Sequence, residues 1–198
     1  MSALPSHNPF ASDDYVVRPK VRHRRCLNGH DLAVAGRYTG WDHSLYLPTG
    51  GCELCFQLRL PRWSWREVDL RFRGEAPSTA AALALAARPP LVRGGVGQIM
   101  LQLWGTTIAD LDVQMCGPCR AGVVEQIRVD SDYLRRGIGT VLLVAALSRG
   151  RGFRWSTTTI NDTPIARAFW AAQQLPADMV LGEPERCSDM LAVDGHVV

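Results

Sequence analysis

Lysine is almost missing from this chain of 198 residues: of 22 basic side chains, only Lys20 is a lysine. The skew to arginine carries no functional reading of its own. Charge of one sign is also scarce, and a formal net charge of +3 is too small to imply nucleic acid by itself. Long apolar runs are lacking. The Ala/Leu run from Thr79 to Ala87 falls far short of a membrane span, and the N-terminus carries no apolar run of the signal-peptide kind. The expectation is a cytoplasmic protein with no membrane partner. A hydrophobic content of 46% is ordinary for a globular chain and suits one domain with a small appendage. Cysteine is present, as six residues. In such a chain they point to metal or redox chemistry rather than to a secreted disulfide framework.

The stretch with the most chemistry in it is VVEQIRVDSDYLRRGIGTVLLVAAL, Val123 to Leu147. Val123, Glu125, Ile127 and Val129 alternate with Val124, Gln126 and Arg128, which predicts a two-faced strand. Asp130, Ser131 and Asp132 break it. Arg135, Arg136, Gly137, Ile138, Gly139 and Thr140 then open an apolar helix through Ser148. Glycines allow close backbone approach, the first helical turn leaves N–H groups free, and the helix dipole adds positive potential. The expected ligand is a phosphate or pyrophosphate, with Arg135 and Arg136 beside it.

Two motifs carry a resemblance. Val129 followed by Gly137-Ile138-Gly139 resembles the acetyl-CoA-binding motif of the GCN5-related N-acetyltransferases. Asn161 to Trp170, NDTPIARAFW, is similar to the second motif of that family. Both occur in the family's order, within Val123 to Leu175. The resemblance implies a mixed α/β (α+β) fold, a central mixed sheet flanked by helices, over about Pro61 to Val198. It also implies an acetyl-CoA or other acyl-CoA substrate and transfer to an unknown amine acceptor. A base takes a proton from the amine, the amine attacks the thioester carbonyl, and the leaving thiolate is protonated. Residues 135–140 would hold the pyrophosphate. The edge at Ile127, Arg128 and Val129 would hold the pantetheine arm, and Asn161 would lie near it. Glu125 is the candidate base. Trp170 stands where many members have a tyrosine acid, which leaves Tyr133, or water, as the candidate acid. Leu134 stands where the family has Arg or Gln.

Cys26-x3-His30 and Cys52-x2-Cys55 form a complete and local ligand set for a four-coordinate zinc. The chain between them is expected to fold back, with a strand-like Val34 to Tyr46 and a turn at Pro48 to Gly51. A second pair, Cys116-Gly117-Pro118-Cys119, is expected at a hairpin tip. Its spacing matches a thioredoxin-like redox motif, but that motif opens a helix and here a strand follows. A metal knuckle suits it better and needs two more ligands. Cys187 and His196 lie far off in sequence, so a site from Cys52, Cys55, Cys116 and Cys119 is the competitor to the first set.

Three segments are expected: a disordered basic tail at 1–22, a zinc module at 23–60 and the acyltransferase domain at 61–198. Further expected strands are Phe56–Leu60, Trp63–Trp65, Val68–Arg73, Gln98–Trp104, Asp110–Met115, Phe153–Thr159, Met179–Leu181 and Met190–Val193. A helix capped by Ser78 is expected over Thr79–Arg88, and another over Ile165–Gln174. Trp63 and Trp65 are expected as packing residues. The alternative function is a catalytically silent binding protein. Its zinc module and basic stretch, Arg18 to Arg25, would then contact nucleic acid or a protein partner.

Overall fold

The computed structural model describes residues 10, 12, 14–71 and 82–194. The fold is mixed α/β, as expected, with two sheets. Two compact units form. One draws on Met1–Ala86, Leu101–Ala109 and Val129–Val141, the other on Ala87–Met100, Asp110–Arg128 and Leu142–Val198.

The first sheet has four strands: β1 (Val17–Pro19), β2 (Arg37–Asp42), β3 (Leu47–Cys52) and β4 (Ser64–Val68), in the order β1-β4-β3-β2. β2 and β3 form a hairpin from Arg37↔Cys52 to Asp42↔Leu47. The reversal is made by residues 43–46, with Asp42 accepting from the Ser44 and Leu45 N–H groups. Pro48 to Gly51, expected as the turn, lies inside β3. Gly50 is there for a packing reason: a Cβ would sit 2.7 Å from the Trp65 ring. Two short helices, α1 (Leu32–Ala35) and α2 (Glu53–Gln57), flank the hairpin. α2 replaces the strand expected at Phe56–Leu60. The two-residue gap between Cys52 and Cys55 needs a turn, and the backbone takes it as a helix. Arg59, at φ 53, follows just beyond its end.

Sheet pairing continues past Pro61, because β4 pairs with both β1 and β3. The described part of the segment expected as a tail carries core residues and a strand. Phe10, Tyr15, Val16 and Val17 are buried, and β1 pairs in parallel with β4. Those four apolar residues outweigh the polar composition around them. Strand β4 ends at Val68, so the strand expected at Val68–Arg73 does not form over 69–71. Phe72 and Arg73 lie outside the described residues.

The second sheet has the order β5-β6-β7-β8-β9: β5 (Leu83–Arg88), β6 (Val96–Leu103), β7 (Thr106–Cys116), β8 (Ala121–Val129) and β9 (Arg154–Thr157). β5 overturns the helix expected over Thr79–Arg88 for its described part. Leu and Ala favour helices, but pairing beside β6 and a largely buried strand win here. Ser78 to Ala81 lie outside the described residues. Trp104 and Gly105, both at positive φ, make the tight turn between β6 and β7. Helix α3 (Ile138–Arg149) is apolar all round. Ile138, Val141, Leu142, Leu143, Ala145 and Ala146 are buried. α4 (Pro164–Ala171) buries none of its residues, and Ile165 is 68% exposed. Met190–Val193, expected as a strand, lies inside α5 (Ser188–Asp194). Of Met179–Leu181, only Val180 makes a bridge, to Ser156.

Candidate functional site

Strand β8 pairs in parallel with β9 from Ala121↔Arg154 to Val124↔Thr157. Thr158 closes that ladder, its N–H donating to the Val124 carbonyl and its hydroxyl to the Glu125 carbonyl. β8 continues to Val129, so Gln126 to Val129 lie beyond the last β9 partner. Ile127 and Val129 are half-buried, while Gln126 and Arg128 are exposed. Arg128 directs its guanidinium to Asp110 and Asp112 on β7, which leaves its main chain as the part available to a ligand.

From Val129 the chain makes one 3-10 turn, Ser131–Tyr133, and enters α3 through Arg135 to Gly137. The N–H groups of its first turn have no partner within the helix, as at any helix start. Gly137 has φ +82, and a Cβ there would come 2.2 Å from the Val17 carbonyl oxygen. Only glycine fits that approach. The Arg136 carbonyl accepts from the Val17 N–H at 2.8 Å. Its guanidinium donates to the carbonyls of Ser12 (2.7 Å) and Phe10 (2.9 Å), and the side chain is buried. Arg136 is therefore committed to the N-terminal segment. Arg135, at φ 59, is exposed. Gly139 and Thr140 are half-buried in the first turn of α3.

Tyr133 packs edge-on against Phe10, ring centres 5.3 Å apart. Burial, with Asp132 and Asp130 nearby, raises its phenol above the usual range, so it stays protonated. Glu125 is held by Arg186, whose Nη2 lies 2.7 and 2.8 Å from the two carboxylate oxygens. Arg186 Nε also donates to Gln114 at 2.9 Å. Sequence reasoning missed Arg186. It sits in an irregular C-terminal segment, and no spacing rule ties it to β8. Asn161 is exposed in the loop before α4, its carbonyl accepting from the Thr163 N–H.

The first cysteine set does converge. The ligand atoms of Cys26, His30, Cys52 and Cys55 all lie within 4.8 Å of one another. Cys26 and Cys55 Sγ are 3.8 Å apart, and His30 Nδ1 is 3.1 Å from Cys55 Sγ and 3.9 Å from Cys52 Sγ. Tetrahedral zinc with bonds of about 2.3 Å to sulfur sets S···S at about 3.8 Å, so the donor set fits the ion. The turn is built for it: Gly29 N–H donates to the Cys26 carbonyl and His30 N–H to the Cys26 sulfur. Burial pushes the Cys55 thiol up to about 11, with the neighbouring Cys52 and Cys26 sulfurs adding to it. Trp65, fully buried, and Trp63 pack around the set, as expected. The basic stretch wraps the same turn. Arg18 donates to the Arg25 carbonyl and stacks over Trp65, Arg24 pairs with Asp31, and Arg25 donates to the Gly29 carbonyl.

Cys52 and Cys55 are thus grouped with Cys26 and His30. Cys116 and Cys119 gather with Cys187 instead, their sulfurs within 4.8 Å of one another. They sit at the β7–β8 hairpin tip, as expected. His196 lies outside the described residues.

No family model matches the chain, and no curated protein matches it. Solved structures do. An aminoglycoside acetyltransferase, meta-AAC0020, from an uncultured soil metagenomic sample is 16% identical, with 40% of this chain and 57% of that one covered and a TM-score of 0.35. Aminoglycoside N-acetyltransferase AAC(6')-Iy in complex with CoA is 20% identical, with 46% and 63% covered and a TM-score of 0.35. A ribosomal-protein-alanine N-acetyltransferase from Brucella melitensis biovar Abortus 2308 is 18% identical, with 44% and 69% covered and a TM-score of 0.35. The chain thus spans under two thirds of the first two. These three structures are all named acetyltransferases.

Proposed function

We propose that the protein is an acyl-CoA-dependent N-acyltransferase that transfers an acetyl group to an amine acceptor, and that Cys26, His30, Cys52 and Cys55 hold a structural zinc in its N-terminal module. One observation carries the first part. β8 outruns its β9 partner at Val124 and leads, through a Gly-rich turn, into the N-terminus of α3. An unpaired strand edge offers N–H and C=O groups to an amide-bearing arm, and the helix start offers N–H groups to a pyrophosphate.

Acyl-CoA supplies the acyl group as an activated thioester. The residues of the chain bind, orient and move protons. Main-chain groups of Ile127, Arg128 and Val129 hold the arm. The N–H groups of Ile138, Gly139 and Thr140, with the exposed Arg135, hold the pyrophosphate. Arg136 contributes by fixing the loop from behind. Glu125 accepts the proton of the amine, directly or through water, once Arg186 yields one of its oxygens. The protonated phenol of Tyr133 is the proton donor. Asn161 lies near the arm.

Calorimetric titration of acetyl-CoA and CoA into the protein and its Gly139→Glu variant tests the binding. Micromolar binding lost in the variant, with circular dichroism unchanged, supports the reading. Absence of binding by folded, zinc-loaded protein sinks it. A second reading is favoured by the Glu125–Arg186 pair, which occupies the candidate base. In it the protein binds acyl-CoA, transfers nothing, and acts through a nucleic-acid or protein partner. Thiol release in the presence of an amine panel separates the two.

A further inference from the structure

We infer that Cys116, Cys119 and Cys187 hold a second zinc that clips the C-terminal segment to the tip of the β7–β8 hairpin, with the Asp189 carboxylate beside Cys116. Three sulfurs lie within 4.8 Å of one another. Cys116 Sγ and Asp189 Oδ2 are 3.3 Å apart. The set is brought together by the fold and not by sequence proximity, since Cys187 comes from a different segment than the Cys-x2-Cys turn.

The surroundings suit a cation better than three resting thiols. Cys116 is 1% exposed and belongs to a core with Ala121, Val123 and Met190, while Cys119 and Cys187 pack at its edge. The turn that presents Cys119 closes with Arg120 N–H donating to the Gly117 carbonyl, and Arg120 has φ 49. The Met190 and Leu191 N–H groups donate to the Cys187 carbonyl at 3.1 and 3.0 Å and fix the start of the segment that carries Cys187. Arg93 pairs with Asp189 at 3.2 Å and offsets the charge of an anionic donor set. Thiolates select zinc over hard cations.

The clip also holds a neighbour. Arg186, next to Cys187, reaches Gln114 on β7 and Glu125 on β8. The metal would thus anchor the segment that delivers this guanidinium. The site stands independently of acyl transfer and of the first module.

Metal content of the purified full chain, read by atomic emission, tests it. The expected result is two zinc per chain, falling to one in Cys187→Ser and to one in Cys55→Ser, with the double variant holding none. If only one zinc is bound, its loss in Cys187→Ser but not in Cys55→Ser still supports the clip and refutes the first module. Zinc content unchanged by Cys187→Ser overturns the clip, as does iron in place of zinc. An intact mass lower by two hydrogen atoms under non-reducing conditions, restored by reductant, would show a disulfide instead and also overturn it. Because Cys187→Ser could fold poorly, cobalt substitution of the Cys55→Ser background provides a second reading. It should show tetrahedral thiolate–cobalt absorption whose charge-transfer band drops by about a third in Cys119→Ser, one thiolate of three being lost.

Discussion

Asp42 sits where the β2–β3 turn meets β4. Its carboxylate accepts from the Ser44 and Leu45 N–H groups, from the Ser44 hydroxyl and from Arg66 at 2.8 Å. Burial acts to raise its pKa, but the Ser44, Arg66 and Leu45 contacts outweigh it and hold the carboxyl at about 2. A folded-state value below the unfolded one means stability that is present above about pH 4 and lost as pH falls through about 2. Asp42→Asn should cost roughly 2 kcal/mol at neutral pH, and the gap to the wild type should close between about pH 4 and pH 2 in urea titrations. A gap that stays constant over that range refutes the assignment. Glu125 makes a different claim. If it is the base, Glu125→Gln should lower acetyl transfer by about 10²–10⁴-fold while leaving acetyl-CoA affinity near the wild type. Equal loss of binding and turnover would make it a structural partner of Arg186 only.

At the scale of the element, Gly137 decides how α3 begins. Its φ of +82 and the 2.2 Å approach to the Val17 carbonyl leave no room for a side chain. Gly137→Ala should lower stability by about 1–3 kcal/mol in thermal or denaturant unfolding and should weaken acetyl-CoA binding, because the turn and β1 share that contact. Retained stability with normal binding would contradict both. Elements were read correctly from sequence where one local pattern ruled. The β8 alternation, the Gly-rich helix start and the all-apolar α3 fall in this class. Phe56–Leu60, Leu83–Arg88 and Met190–Val193 were misread, each for its own reason. Ligand spacing turned the first into a helix. Sheet pairing overrode helix propensity in the second. In the third, Met190 and Leu191 donate to the Cys187 carbonyl and start a helix.

For the molecule as a whole, the proposed zinc of the N-terminal module is the lever. Trp65 is fully buried in the cluster that holds Cys26, Cys52 and Cys55, and Trp63 packs on it. Removal of zinc by a strong chelator should shift tryptophan emission to the red and lower the melting temperature, and added zinc should restore both. Unchanged emission after verified metal loss would show that the module stands without the ion.

The sequence by itself determined the Cys26/His30 and Cys52/Cys55 pairs that are candidates for zinc and the strand–turn–helix that is a candidate for acyl-CoA. Those signals lie within a few residues of one another, so backbone geometry and spacing suffice to read them. Tertiary structure alone decided that Phe10, Ser12 and Val17 meet Arg136, that Arg186 occupies Glu125, and that Cys187 joins Cys116 and Cys119. These contacts join residues far apart in the chain. Their partners are chosen by which surfaces the sheets leave to be buried, and no local pattern encodes that choice.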